Sequence, residues 1–249
     1  MSALYVERVG AGRPVVLLHG FTQTGRSWTR LVRDLSRDYK VVTIDAPGHG
    51  GSQAMRANLA EAADLVAEIG REATYVGYSM GGRLALHVAV AHPHLVEQLV
   101  VLGATAGIDD AHERAARRAS DDALAAAIER DGVEAFLVRW LAQPMFAALP
   151  HDQAAFNDRL RNNAAGLASS LRLAGTGAQE PLWSQLDQLT MPVTVVAGAL
   201  DTKFVAHGRR LAATIGSNAT FETIDDAGHA AHLEQPDAFA ALLRRVLST

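Results

Sequence analysis

The sequence predicts an α/β domain in which a mostly parallel β-sheet is flanked by helices, and three observations carry that prediction. Short apolar, β-branched runs alternate with helical patterns along most of the chain. Several of these runs, such as VVLL and VTVVA, are apolar throughout, which is typical of strands covered on both faces. The chain has 249 residues, of which 49% are hydrophobic and 20% charged, so one domain can bury a single large core.

The individual strands and helices are predicted from the same two patterns. Seven runs are predicted as strands: Leu4–Val9, Val15–Leu18, Val41–Ile44, Thr74–Gly77, Leu99–Leu102, Val193–Ala197 and Thr220–Ile224. Five segments between and after them are predicted as helices: Trp28–Arg37, Asn58–Gly70, Met80–Ala91, Val205–Ile215 and Pro236–Leu247. Because strands and helices alternate, we expect the carboxyl ends of the parallel strands to meet at one edge of the sheet.

One segment interrupts the alternation. Residues 104–189 carry only helical patterns, such as HERAARRASDDALAAAIERD and VEAFLVRWLAQ, between the turn sequences GATAG and LTMP. We therefore expect residues 1–103 and 190–249 to form the core, and residues 104–189 to form a helical cap inserted between two strands. Such an insertion would lie over the carboxyl ends of the strands, where α/β sheets place their sites. A helical layer with no role at the site is the alternative.

Composition excludes several classes of function. The net charge of −4, with both signs scattered, favours neither a nucleic-acid partner nor a membrane surface. The absence of cysteine excludes disulfides, thiolate metal sites and a cysteine nucleophile. No apolar run approaches the about 20 residues of a membrane span, and the opening MSALYVERVGAG does not resemble a signal peptide, so a cytoplasmic location is expected. Neither HExxH spacing nor a dinucleotide fingerprint occurs, so we expect no metal site and no cofactor.

The segment YVGYSMGGRLALHVA presents one serine between a predicted strand and a predicted helix. Gly77-Tyr78-Ser79-Met80-Gly81 fits the G-x-S-x-G pattern in the strand–turn–helix context that this pattern requires. The glycines are needed because the serine sits on a strained turn where strand and helix approach closely. Ser79 is therefore predicted to be the reactive hydroxyl.

Two further residues complete a catalytic triad. Asp201 follows the predicted strand Val193–Ala197, and His229 follows the next predicted strand, so both lie at the same sheet edge as Ser79. We expect His229 to take the serine proton and Asp201 to hold the imidazole tautomer. The rival acids Asp225 and Asp226 are interpreted as turn formers, and the rival base His232 as a helix-entry residue.

Backbone amides are the expected oxyanion donors. The first is the amide of Met80, the residue after the serine, and the second is that of Phe21 in the loop LLHGFTQTGRSW. The histidines near this loop, His19 and His49, are interpreted as structural.

Together the motifs HGF, DAPGHG, GYSMGG, GALD and AGH, in this order, resemble the α/β-hydrolase superfamily over nearly the whole chain. Finer stretches are similar to one subfamily, the 2-succinyl-6-hydroxy-2,4-cyclohexadiene-1-carboxylate (SHCHC) synthases of menaquinone biosynthesis. These stretches are LHGFTQTGRSW, GYSMGGRLAL, ERAARR, FLVRWLAQPMF, LRNNAAGLA, GTGAQEPLW, DTKF and AGHAAHLE. This resemblance implies a carbon–oxygen lyase that eliminates pyruvate from 2-succinyl-5-enolpyruvyl-6-hydroxy-3-cyclohexene-1-carboxylate, with the triad serine acting as a base.

Arginines are the expected ligands of such a polyanionic substrate. Arg83 lies four residues after Ser79 and thus one helical turn away on the same face, where its planar fork suits a carboxylate. An arginine pointing to solvent is the alternative for Arg83. The resemblance implies that further substrate contacts come from Arg159, from Arg117 in preference to Arg118, and from Tyr78 and Trp140. Glu180 departs from the subfamily pattern, either facing away from the site or altering substrate preference.

Three functions are considered for a chain with these motifs. The first is the SHCHC synthase-like lyase, acting on a polyanionic small molecule as a monomer or small homo-oligomer. The second is a serine hydrolase, such as a carboxylesterase, lactonase or C–C hydrolase, acting on a small carboxylated substrate. The third is a non-catalytic binding protein, which the complete set of Ser79, Asp201 and His229 disfavours.

Overall fold

A computed structural model describes residues 4–248 and contains a seven-stranded sheet. Its strands are β1 (Val6–Val9), β2 (Pro14–Leu18), β3 (Lys40–Ile44), β4 (Ala73–Tyr78), β5 (Val96–Leu102), β6 (Val193–Gly198) and β7 (Ala219–Ile224). The spatial order is β1-β3-β2-β4-β5-β6-β7, and every neighbouring pair is parallel except the edge pair β1 and β3. The predicted fold class, a mostly parallel sheet flanked by helices, is confirmed.

Ten α-helices lie within the described residues. They are α1 (Thr29–Leu35), α2 (Leu59–Gly70), α3 (Met80–Ala91), α4 (Ala111–Asp131), α5 (Val133–Leu141), α6 (Gln153–Arg159), α7 (Ala164–Ala174), α8 (Thr202–Ile215), α9 (Ala231–Glu234) and α10 (Pro236–Leu247). Short 3₁₀ turns occupy Gly25–Trp28, Gly50–Ser52, Pro93–Leu95, Pro144–Phe146 and Trp183–Gln188. None of the helices in residues 4–248 has the length and apolar composition that crossing a membrane requires.

The continuous apolar strands are buried on both faces. In β2, Val16 and Leu18 pack into the apolar cluster that includes α2, α3 and α8, whereas Val15 and Leu17 pack into the cluster that includes α1 and α10. Since successive side chains of a strand point to opposite faces, both faces need apolar residues when helices cover both. The VVLL run is the sequence signature of this arrangement.

Element boundaries differ from the predictions where local hydrogen bonds intervene. The first helix is shorter than predicted because Gly25–Trp28 forms a 3₁₀ turn before it. The helix after β6 begins at Thr202 rather than Val205, because the Asp201 side chain caps it by accepting from the Phe204 amide at 3.2 Å. The first strand begins at Val6, where pairing with β3 starts, and not at Leu4.

Between β5 and β6 the described chain forms helices and turns, with α4 to α7 as its α-helices. This segment has an apolar cluster of its own, built from α4, α5 and α7: Ala125, Ile128, Phe136, Leu137, Leu167, Ala168 and Leu171. Partly buried Phe21, from the loop after β2, also packs against that cluster. The segment is called the helical insertion below.

Candidate active site

Ser79 lies on the strained turn between β4 and α3. Its backbone has φ +52° and ψ −109°, a left-handed conformation that is rare for residues other than glycine. A Cβ on Gly77 would collide with the Gly81 carbonyl oxygen, and one on Gly81 with the Leu18 carbonyl oxygen. The two glycines of the G-x-S-x-G pattern are therefore required by close backbone packing, and the turn holds the serine at the carboxyl end of the sheet.

Ser79, His229 and Asp201 form one hydrogen-bonded line. The Nε2 atom of His229 lies 3.1 Å from the Ser79 Oγ, and its Nδ1 atom lies 2.8 Å from the Asp201 Oδ2. His229 is only 3% exposed. Since a carboxylate can only accept, Nδ1 carries the proton and Nε2 is the acceptor for the serine hydroxyl. This tautomer suits a base that takes a proton from Ser79.

The rival residues lie elsewhere. Asp225 and Asp226 are exposed in the turn after β7. His232, in the short helix α9, packs against Tyr78 and Trp28 with tilted rings, whose centroids lie 4.3 and 4.5 Å away. Burial lowers the pKa of His232 well below its usual value, so its ring is a neutral packing element beneath the triad.

Two backbone amides next to Ser79 are available as donors. Within residues 4–248, neither the Phe21 amide nor the Met80 amide has a hydrogen-bond partner, and both residues line the cavity above Ser79. Two such amides that face a cavity beside the Ser79 hydroxyl are suited to hold a developing oxyanion.

A cavity of about 550 Å³ opens above Ser79 and His229. The predicted residues that line it are Phe21, Tyr78, Ser79, Met80, Arg83, Arg117, Trp140, Arg159 and His229. Arg118 is not among the lining residues and is exposed. Of the two neighbouring arginines on α4, therefore, Arg117 faces the cavity.

Two of the cavity arginines are buried without an acidic partner. Arg83 is 8% exposed and Arg159 is 4% exposed, and no carboxylate within residues 4–248 forms an ion pair with either. Arg83 donates to the Gln179 Oε1 at 3.3 Å, and Arg159 donates to the Thr22 hydroxyl. Burial lowers the pKa of Arg83 to about 10, with Arg117 contributing, and burial also lowers the pKa of Arg159.

Arg117 differs because it is held by an acid. Its Nε donates to the Asp121 Oδ1 at 2.8 Å, one turn along α4, and the Asp121 Oδ2 accepts from the Gly177 amide at 3.1 Å. Sequence reasoning did not single out Asp121, Gln179 or Thr22. Gln179 does belong to GTGAQEPLW, one of the stretches that carried the resemblance. The same stretch contains Glu180, which is exposed and does not line the cavity.

The aromatic residues Tyr78 and Trp140 both line the cavity. Trp140 stacks on Phe136 and meets Phe21 edge to face, at ring-centroid distances of 5.7 and 5.5 Å. Tyr78 lies 5.3 Å from the His229 ring.

His19 and His49 both accept hydrogen bonds from backbone amides. His19 Nε2 accepts from the Ala46 amide at 3.0 Å, and His49 Nε2 accepts from the Thr22 amide at 3.3 Å. Burial lowers the pKa of His19 to about 4 and that of His49 to about 3, so both rings are neutral. In the described part of the chain, no group of three or more histidine, aspartate or glutamate side chains is arranged to hold a metal ion.

The α/β-hydrolase fold model matches residues 13–236 of this sequence. The chain belongs to the α/β-hydrolase family. The sequence is also similar to proteins that are named as SHCHC synthases. A Bacillus subtilis (strain 168) relative, to which SHCHC synthase activity is provisionally ascribed, is 36% identical, over 98% of this chain and 93% of its own length. The SHCHC synthase of Serratia proteamaculans (strain 568) is 34% identical, over 95% of this chain and 94% of its own length.

Solved structures agree with this α/β-hydrolase assignment. MenH from S. aureus superimposes with a TM-score of 0.92 at 29% identity, covering 100% of this chain and 98% of that one. A thermophilic esterase from Thermogutta terrifontis reaches a TM-score of 0.82 at 24% identity over 98% of this chain and 93% of its own, and it shows the shared fold alone. The predicted resemblance to SHCHC synthases is confirmed, and this α/β-hydrolase is an SHCHC synthase-like enzyme.

Proposed function

We propose that this enzyme is an SHCHC synthase, a carbon–oxygen lyase that eliminates pyruvate from 2-succinyl-5-enolpyruvyl-6-hydroxy-3-cyclohexene-1-carboxylate in menaquinone biosynthesis. The observation that carries the proposal is the pair of buried guanidinium groups, Arg83 and Arg159, which line the cavity above Ser79 and form no ion pair with an acid in the described part of the chain. The relatives named SHCHC synthase support the same reaction.

The buried guanidinium groups of the cavity have an electrostatic cost that an anionic substrate would offset. Placing a guanidinium group in a protein interior without a counter-charge is unfavourable, and a bound carboxylate offsets that cost. A planar guanidinium can also donate two parallel hydrogen bonds to one carboxylate, a geometry that a lysine does not reproduce. A substrate with several carboxylates therefore fits Arg83, Arg117 and Arg159, whereas a neutral ester would leave the charges of Arg83 and Arg159 without an ion-pair partner.

The triad supplies the base in this proposal. His229 takes the proton of Ser79, and the Ser79 oxygen removes the proton on ring carbon C2 of the substrate. The C2–H electron pair forms the C2=C3 bond, the C3=C4 pair moves to C4=C5, and the C5–O bond breaks to release the enolate of pyruvate. The proton held by His229 then goes to that enolate, so the enzyme returns to its starting state with no acyl intermediate.

Negative charge develops on the succinyl ketone oxygen as the C2 proton leaves. The unpartnered amides of Phe21 and Met80 are the groups that hold this oxygen in the proposal. Fixed donors aimed at developing charge lower the barrier without reorganising during the reaction. The amino end of α3, which begins at Met80, adds favourable electrostatics at the same place.

A serine hydrolase for a small carboxylated substrate is the second candidate. It is favoured by the 3.1 Å contact between Ser79 and His229, which suits a nucleophile as well as a base. The two candidates share the triad and the arginines and differ in whether an acyl-enzyme forms.

The remaining proposals concern the setting of the enzyme. We propose that residues 104–189 act as the cap over a core of residues 1–103 and 190–249. We also propose that the enzyme works in the cytoplasm as a monomer or small homo-oligomer, with a polyanionic small molecule and neither nucleic acid nor membrane as its partner.

The test is release of pyruvate from the authentic precursor by the purified protein. The lyase proposal predicts stoichiometric pyruvate and SHCHC, with no burst of product before the steady state. A protein that gives no pyruvate yet cleaves small carboxylated p-nitrophenyl esters with an initial burst would establish the hydrolase and overturn the lyase.

A further inference from the structure

Thr22, directly after the proposed oxyanion donor Phe21, has an unusual backbone. Its φ of +69° lies in the left-handed region, where a β-branched residue is an outlier. Thr22 is fully buried, at 0% exposure. Such conformations persist only where the surrounding structure over-determines them, and they occur preferentially at functional sites.

All three polar groups of Thr22 are held from outside its own loop. Its amide donates to the His49 Nε2 at 3.3 Å, its carbonyl oxygen accepts from the Asn162 Nδ2 at 2.7 Å, and its hydroxyl accepts from Arg159. His49 belongs to the loop after β3, while Arg159 and Asn162 belong to the helical insertion. Two of the three restraints on the oxyanion loop therefore come from the insertion.

Asn162 is itself saturated with hydrogen bonds. Besides the bond to Thr22, its Nδ2 donates to the Arg159 carbonyl oxygen at 2.8 Å, and its Oδ1 accepts from the Gly50 amide at 2.9 Å. Asn162 is 5% exposed, so these bonds are shielded from water. The side chain consequently joins the turn after α6 to two loops of the core.

We infer that Asn162 is a positioning residue, which holds Thr22 in its left-handed conformation and thereby keeps the Phe21 amide available to the reacting oxygen. The inference rests on the proposed function, because it takes the Phe21 amide as an oxyanion donor. In this arrangement the helical insertion does more than bind substrate carboxylates. It completes the oxyanion site of the core.

If Asn162 acts by holding Thr22 at positive φ, a glycine at position 22 should restore activity that is lost with Asn162. When Asn162 is removed, a threonine at position 22 can relax to negative φ and displace the amide before it. Glycine populates positive φ about as readily as negative φ, so Thr22→Gly weakens the tendency of residue 22 to relax to negative φ. Loss of Asn162 should therefore matter less when residue 22 is glycine.

The experiment compares kcat and KM for Asn162→Ala, Thr22→Gly/Asn162→Ala and the matched control Asn163→Ala. Asn163 caps α7 through the Gly166 amide at 2.7 Å. We expect Asn162→Ala to lower kcat at least about tenfold with KM changed less than about threefold, since a displaced oxyanion donor acts on the transition state. The double variant should recover most of that loss, and Asn163→Ala should keep the wild-type kcat.

The inference is overturned by a double variant no faster than Asn162→Ala, or by an equal loss of kcat in Asn163→Ala. Labelling of Ser79 by a fluorophosphonate, whose phosphonyl oxygen also needs the oxyanion donors, separates this inference from the lyase proposal. If the wild type releases no pyruvate, the lyase proposal fails, and the order of labelling rates among the variants still decides the role of Asn162. A wild type inert to both reagents would contradict the presence of an oxyanion site and overturn the inference too.

Discussion

The triad and the cavity arginines, defined as Arg83, Arg117 and Arg159, face the same cavity but differ in how their charges are balanced. In the triad, each polar group has its partner in the protein, from the Ser79 hydroxyl through His229 to Asp201. Within residues 4–248, Arg117 is the cavity arginine that forms an ion pair with an acid, whereas the more buried Arg83 and Arg159 form none. The protein itself therefore supplies the partners of Ser79 and His229, whereas an anionic ligand would balance the charges of Arg83 and Arg159.

The variant Ser79→Ala tests the proposed catalytic role of the triad most directly. We expect kcat for pyruvate release to fall about 10³- to 10⁴-fold, because a positioned acid–base group is lost while substrate binding is kept. The control is Ser120→Ala, which removes another cavity hydroxyl, one that donates to the Ala116 carbonyl oxygen of its own helix. Equal losses in both variants would show that Ser79 has no special role.

Arg83→Met tests the arginine side. Loss of a charge-assisted contact to a carboxylate should lower kcat/KM about 10- to 100-fold, mainly through KM. Because the buried guanidinium has no acid partner, the same variant should raise the free energy of unfolding of the unliganded protein by about 1 kcal/mol. Kinetics and urea denaturation measure the two effects. A variant that loses both activity and stability would indicate that Arg83 is a structural residue.

Neighbouring Arg117 and Arg118 provide a matched pair. Arg117→Ala should lower kcat/KM about tenfold, less than Arg83→Met, because Arg117 is partly exposed and already neutralised by Asp121. Arg118→Ala, which changes an exposed residue outside the cavity, should keep kcat/KM within about twofold of the wild type. A larger loss of kcat/KM in Arg118→Ala than in Arg117→Ala would contradict the assignment of Arg117 to the face of α4 that lines the cavity.

A separate prediction concerns acid stability, which depends mainly on the burial of core histidines, with Arg159 adding to the lowering of the His19 pKa and Arg83 to that of the His87 pKa. Burial lowers the pKa of His19, His49 and His87 to about 4, about 3 and about 4. Their pKa in the unfolded chain is about 6.5, so between pH 6.5 and 4 the unfolded state binds more protons than the folded state. The free energy of unfolding should thus fall as the pH falls, by about 1.4 kcal/mol per pH unit for each histidine.

Urea denaturation between pH 4.5 and 7 measures this slope. His87→Leu should flatten it by about the contribution of one histidine, while His112→Ala, at an exposed position, should leave it unchanged. A slope that does not respond to His87→Leu would assign the acid sensitivity to other groups.

Much of the site could be predicted because the motif residues follow strand ends. Ser79, Asp201 and His229 each come directly after a strand of one parallel sheet, and the carboxyl ends of such strands meet at one edge. The residues that sequence reasoning missed act across long chain separations. Asp121 holds the Gly177 amide, and Asn162 holds Thr22, and neither pair has a local pattern that indicates the contact.

Sequence patterns were enough to predict the fold class, the order of the elements and a set of three residues, Ser79, Asp201 and His229, that the structure brings into one hydrogen-bonded line. They suffice because hydrophobic periodicity and turn glycines are local properties of the chain. Only the tertiary structure decided that Arg117 rather than Arg118 faces the cavity, that Glu180 faces away from it, and that Asn162 reaches the oxyanion loop. Neighbouring residues of a helix point about 100° apart, so their direction depends on how α4 packs against the rest of the insertion. Packing of that kind is set by contacts between distant segments, which periodicity along the chain does not record.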